Sequence, residues 1–215
     1  MPLILFIGFI SFIVGFYWVF VISPYDYQQG MMVKIMYIHV PSAWLSIGIY
    51  LLLALMSCIH IIMKSPIAGV ISKCCGPIGL VFTSIVLLTG ILWGKPMWGV
   101  WWVWDARLTS VLILFFIYLG FILIHRFDDN ENKLTKIASI YAIFGFLNIP
   151  IIKFSVDWWN TLHQPASIIK LGGPSIHNSM LYPLIVVFIF FCLLFIYLLA
   201  LSLKIELLKG KIKNI

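Results

Sequence analysis

Charge is what this 215-residue chain has least of. Only 10% of its residues are Asp, Glu, Lys or Arg, against about 25% in soluble globular domains. That scarcity, with 63% apolar residues and a mean hydropathy of +1.10, excludes a water-soluble domain. Seven acidic residues in all show no spacing that suggests paired catalytic carboxylates. Phosphate-cradling GxxxxGK[ST] and zinc-binding HExxH are both absent, which removes the common nucleotidase and metallohydrolase readings. Cys58, Cys74, Cys75 and Cys192 include no CxxC pair, so they read as structural thiols. The net charge of +7 comes from basic residues scattered along the chain rather than gathered in a stripe, which argues against nucleic acid as a partner.

Long uncharged runs take the place of charge. A span needs roughly 20 apolar residues, and six such runs occur, at about 3–22, 40–62, 74–92, 108–125, 137–152 and 179–203. The fifth is short because Pro150 and Lys153 are expected to close it. The first has no basic n-region, no small-residue cleavage site and more length than a signal peptide's apolar core, so it reads as a retained span. The expected fold is all-α: one membrane domain over residues 1–215 with six transmembrane helices in a lipid bilayer. Lys64, Lys73, Arg126, Lys133, Lys136, Lys204, Lys209, Lys211 and Lys213 fall on one side; Lys34, Lys95, Arg107, Lys153 and Lys170 fall on the other. The positive-inside rule then places both termini in the cytoplasm.

The outer loops carry the chemistry. Residues 93–105 hold five of the nine tryptophans: Trp93, Trp98, Trp101, Trp102 and Trp104. Gly94, Pro96 and Gly99 should discourage a continuous helix there, leaving a tryptophan-rich outer loop suited to a flat, greasy ligand. Trp18, Trp44, Trp158 and Trp159 fall on the same side, whereas an ordinary aromatic belt occupies both interfaces. His39 and His163 lie at outer loops, and two neutral imidazoles meet the axial demands of a haem iron. On residue type alone a histidine near an interface is more often a structural hydrogen-bonding residue; the indoles around these two favour ligation. His177 is the rival to His163, and His60 with His125 forms an inner pair able in principle to hold a second haem. Without CxxCH, haem would be held non-covalently. Arg107, Lys95 and Lys34 are candidate contacts for its propionates, although Arg107 could instead pair with Asp105. Asp105 itself is placed to cap the helix starting at Ala106 or Arg107.

Trp98-Gly99-Val100-Trp101-Trp102-Val103-Trp104-Asp105-Ala106-Arg107-Leu108-Thr109-Ser110 resembles the signature of the WWD haem-handling superfamily, and within it the haem exporter protein C (CcmC) family of cytochrome c maturation. Ile35 to Trp44 and Trp158-Trp159-Asn160-Thr161-Leu162-His163-Gln164 agree with it, so the likeness covers nearly the whole chain. The resemblance implies haem b held at the outer face by His39 and His163. Trp93, Trp98, Gly99, Trp101, Trp102, Trp104 and Asp105 would provide the haem platform and the contact with the chaperone CcmE. It further implies an ABC-type complex of CcmA, CcmB and CcmD that releases the loaded chaperone. Whether the chain itself promotes covalent haem attachment stays open. A permease moving haem across the membrane and a cytochrome b-type anchor subunit are the alternatives; the second would need histidine pairs within the spans. Twelve lysines against two arginines and abundant isoleucine suggest an AT-rich genome. A bacterial inner membrane is the expected location, with the mitochondrial one equally compatible with the topology.

Overall fold

The computed structural model describes residues 2–127, 130–159, 161–163, 167–168 and 172–213; Asn160, Gln164 and Lys170 of the segments above lie outside them. Among the described residues, six helical stretches are long and apolar enough to cross a membrane. Helix α1 (Pro2–Tyr17) continues into a π-turn at Trp18–Ile22, and a 3-10 turn at Met31–Ile35 leads into α2 (Met36–Met63). Then follow α3 (Pro66–Trp98), α4 (Ala106–Ile124), α5 (Glu131–Gly145), α6 (Asn148–Trp158) and α7 (Asn178–Lys213). Chain alternation brings His39, the tryptophan segment, Trp158 and His163 to one end of the bundle. His60, Lys64, Lys73 and Arg126 lie at the other.

Local signals set the helix limits. Ser65 caps α3, accepting from the Ala68 amide, and Pro66 fills the first helical position, where its missing N–H costs nothing. Gly99 ends α3 in the left-handed region at φ 77°, a conformation glycine reaches without steric penalty. Gly94 and Pro96 do not interrupt the helix, contrary to expectation: α3 runs through both. At 33 residues it is about 50 Å long, so it overshoots a hydrocarbon core of roughly 30 Å.

The fifth span also departs from expectation. Pro150 and Lys153 do not close it; α5 and α6 together form a candidate span over Asn132–Trp158. Proline explains the joint instead of an end. Pro150 has no N–H to offer the Phe146 carbonyl, and the Ile149 amide takes that carbonyl at 3.0 Å. The chain turns at Phe146 and Leu147 and resumes as α6.

The core is centred on two fully buried tyrosines. Tyr118 Oη donates to the Ser46 carbonyl at 2.8 Å and Tyr50 Oη to the Ala142 carbonyl at 2.8 Å, with the rings edge to face at 5.2 Å. These bonds join α4 to α2 and α2 to α5, where lipid offers no competing water. Gly79 on α3 admits the Tyr118 ring: a Cβ there would lie 2.2 Å from it. Helix α1 packs on α7 through Gly15, whose Cβ would meet Val187 at 3.2 Å, and turns Phe6, Phe9 and Val14 outward, as a lipid-facing helix does.

Gly79→Ala should lower the stability of the detergent-solubilised protein by about 1–3 kcal/mol, the usual cost of overpacking. Gly48→Ala, where nothing lies within 4 Å of the new Cβ, should not lower it. Equal thermal unfolding midpoints for the two variants would contradict the packing described.

Candidate functional site

His39 lies not on a loop but in the first turn of α2, packed against the last turns of α3. Its Nδ1 is 2.9 Å from Thr89 Oγ1, and its ring meets Trp93 edge to face at 5.6 Å. Gly90 makes room for it, since a Cβ there would lie 3.4 Å from His39 Cε1. Trp93 is itself held by its Nε1, which donates to Gln29 Oε1 at 3.0 Å. Gln29 belongs to a tight turn in which the Gln28 and Gln29 amides donate to Asp26 Oδ1 at 2.9 and 2.8 Å.

His163 sits in the loop after α6. Its Nδ1 donates to Asp105 Oδ2 at 2.9 Å, and its ring packs edge to face on Trp98 at 4.9 Å. Trp98 lies over Gly94, where a Cβ would come within 3.1 Å of the indole; that is why a glycine stands inside the helix at this point. Burial pushes the His163 imidazole below the ordinary histidine range, with the Asp105 carboxylate pulling the other way. The ring is therefore neutral at pH 7. With Nδ1–H committed to the carboxylate, Nε2 is the ring's acceptor nitrogen.

Asp105 has two roles that the sequence presents as competitors. Its Oδ1 accepts from the Leu108 amide at 2.7 Å and caps α4, while Oδ2 holds His163. Arg107 does not form the anticipated close pair with Asp105; its Nε donates to Ser155 Oγ on α6 at 3.2 Å. The guanidinium nevertheless disfavours the charged form of the His163 ring. Lys34 is buried and donates to the Val19 and Ser23 carbonyls. Lys95 donates to the Gly99 carbonyl at 2.9 Å and lies 5.7 Å over the Trp101 ring.

Four further indoles at this end of the bundle stand open. Trp101, Trp104, Trp158 and Trp159 are all at least half exposed, Trp104 by 76%, and Trp102 packs edge to face on Trp104 at 5.6 Å. Among the described residues, Trp102 Nε1 is buried with no acceptor, a donor left over for an oxygen brought by a ligand. The other histidines are engaged locally. His177 Nδ1 bonds Ser179 Oγ at 2.8 Å at the start of α7. At the opposite end, His60 Nδ1 bonds the Ser65 carbonyl at 2.9 Å and His125 Nδ1 the Phe121 carbonyl at 3.0 Å.

Among the described residues, no three His, Cys, Asp or Glu side chains gather as a bare metal ion would require. Two imidazoles beside indole faces, a guanidinium and an orphaned N–H suit a metal that brings its own flat equatorial ligand. Thr89, Gly90, Gln29 and Ser155 were not foreseen from sequence. One signal was available for the first two: on a helix continued past residue 92, Thr89 lies one turn before Trp93, and Gly90 one turn before Gly94.

The whole chain, residues 1–215, matches the family model described as Heme exporter protein C. A Heme exporter protein C from Bradyrhizobium diazoefficiens is 48% identical over 194 residues, covering 90% of this chain and 74% of the relative. That of Haemophilus influenzae is 45% identical over 213 residues, covering 99% and 87%. A ccmC-like mitochondrial protein of cytochrome c biosynthesis from Marchantia polymorpha is 52% identical over 167 residues, covering 78% and 70%.

The His163 pair has a spectroscopic consequence. In the haem-free protein, NMR titration should find the His163 ring neutral at pH 7 and protonating only below the ordinary histidine value. Asp105→Asn keeps an oxygen for the cap but removes the charge favouring the imidazolium, so it should move the titration still lower. A His163 titration at or above the ordinary value in the unsubstituted protein would contradict the burial described.

Proposed function

The chain belongs to the haem exporter protein C family, and from that premise we propose that it holds haem b between His39 and His163 and hands it to the haem chaperone CcmE. Its broader role is haem handling for cytochrome c maturation, as a multi-pass membrane protein. The observation that carries the finer reading is that both histidines lie beside α3 with Nδ1 bonded to an oxygen. That leaves Nε2 of each ring for an iron.

Haem is the cargo, and the chain's part is to bind, orient and shield it. The imidazoles grip the iron from two sides while Trp93 and Trp98, packed on them, exclude water. Arg107 supplies positive charge for a propionate and Trp102 Nε1 a further donor. Trp101, Trp104, Trp158 and Trp159, standing exposed, offer the surface on which the chaperone meets the ring edge. Nothing in this scheme requires the chain to hydrolyse anything. CcmA, CcmB and CcmD complete an ABC-type complex that releases the loaded chaperone.

The site faces the periplasm of a bacterial inner membrane, with both termini in the cytoplasm. Supporting this, Lys64, Lys73, Arg126 and Lys204 gather at the opposite end of the bundle, as the positive-inside rule expects. A channel through the protein is less well supported. The buried polar residues at mid-depth, such as Ser46 and Thr83, are uncharged, whereas transport paths usually carry ionisable groups. An electron-transfer anchor would need histidines paired inside the spans, and all five lie near helix ends or in the loops beyond them.

The test is an absorption spectrum of the detergent-purified protein co-expressed with the chaperone. His39→Ala and His163→Ala should each abolish the six-coordinate bis-histidine bands and reduce chaperone loading by roughly tenfold or more, at least the loss typical of an outer-shell partner. Bands and loading unchanged in both variants would overturn the assignment.

A further inference from the structure

The two histidines are held by chemically different partners. Asp105 presents a carboxylate to His163, while Thr89 presents a neutral hydroxyl to His39. That hydroxyl has one proton, and it is already placed: Thr89 Oγ1 donates to the Ile85 carbonyl at 2.6 Å, with a longer contact of 3.2 Å to the Val86 carbonyl. An oxygen whose proton points back along its own helix turns a lone pair to its other neighbour. Across 2.9 Å the bond then runs from His39 Nδ1–H to Thr89 Oγ1, with the Val86 carbonyl a second neutral acceptor beside the ring. The opposite tautomer would set two lone pairs against each other, or force Thr89 to abandon the Ile85 carbonyl. The ring plane is fixed by the same stretch of α3, between the open face of Gly90 and the edge of Trp93.

We propose that Thr89 is a positioning residue that locks His39 with Nε2 towards the iron, and that its neutral hydroxyl leaves His39 the weaker of the two iron donors. A carboxylate draws on the Nδ1 proton and raises electron density at the far nitrogen; a hydroxyl whose own proton is committed elsewhere does so much less. The inequality follows from the difference in partner charge, not from the position of either histidine. It rests on the bis-histidine reading above and adds to it an order between the two bonds.

Thr89→Val keeps the shape and removes the acceptor, and it also frees the helix of a side-chain bond to its own backbone. It should lower haem affinity about 10–100-fold, the usual consequence of losing such a partner; Thr89→Ser should restore it to within about threefold. Thermal unfolding of the haem-free variants shows whether they are folded. Carbon monoxide added to the ferrous protein identifies the weaker ligand, because it displaces that one and its iron–carbon stretch, read by resonance Raman, senses the donor remaining opposite. Displacement of His39 leaves His163, so at saturating haem Asp105→Asn should shift the stretch and Thr89→Val should not. A shift with Thr89→Val, or no shift with Asp105→Asn, would overturn the order of strengths. Haem binding by folded Thr89→Val equal to that of the unsubstituted protein would overturn the positioning role. His39→Ala serves as the control for the underlying reading: bis-histidine bands that survive it would defeat that reading itself, whatever Thr89 does.

Discussion

Asp105 divides its two oxygens between the start of a helix and the nitrogen of a histidine 58 residues away. The arrangement of this end of the bundle depends on that carboxylate. Accepting from the Leu108 amide fixes where α4 begins, and hence where the chain leaves the tryptophan segment. Accepting from His163 brings the loop after α6 onto the end of α3. Both bonds are charge-assisted and the carboxylate is buried, conditions under which such hydrogen bonds are strongest and under which losing either partner is most costly.

Helix α3 provides the common frame. Thr89, Gly90 and Trp93 receive His39, and Gly94 seats Trp98, which receives His163. Trp93 and Trp98 are five residues apart, a rise of roughly 7–8 Å along a helix. Two rings that come from the first turn of α2 and from a distant loop are thus referred to a single rigid element. Binding sites built on helices hold their geometry better than sites built on loops alone, and here the one loop histidine of the candidate site is tied to the helix end by an indole and a carboxylate.

The frame is rigid because of what lies beneath it. Tyr50 and Tyr118 bind α2, α4 and α5 through hydrogen bonds to carbonyls, and Gly79 lets α3 close on the Tyr118 ring. In a bilayer, apolar burial gives helices no reason to prefer one another over lipid, so close packing at small residues and interhelical hydrogen bonds set their arrangement. Midplane packing therefore fixes the spacing of the helix ends on which the candidate site stands. At the far end, Lys73 of α3 pairs with Glu206 of α7 at 2.6 Å, adding a tie on the opposite side.

Length and hydropathy alone determined six membrane-spanning helices, because the bilayer accepts few other forms for an apolar chain. The gathering of tryptophans towards one end of the bundle, with His39 and His163 beside them, was legible too, since the order of the spans along the chain assigns each residue to an end. Helix continuity was not. Gly94 and Pro96 read as breakers by propensity, but the glycine is the seat of an indole, and α3 runs on through the proline to Trp98 although proline offers the Leu92 carbonyl no N–H. Pro150 likewise read as an end and is a joint, because Ile149 supplies the bond that proline cannot. Thr89 stayed hidden inside an apolar run, and Asp105 appeared as a cap or a site residue when it is both. Such roles depend on which side chains meet across 50 or more residues, and composition and periodicity describe only neighbours along one element. Only the tertiary structure could bring the helix cap of α4, the loop after α6 and the glycine-lined end of α3 to the same two imidazoles.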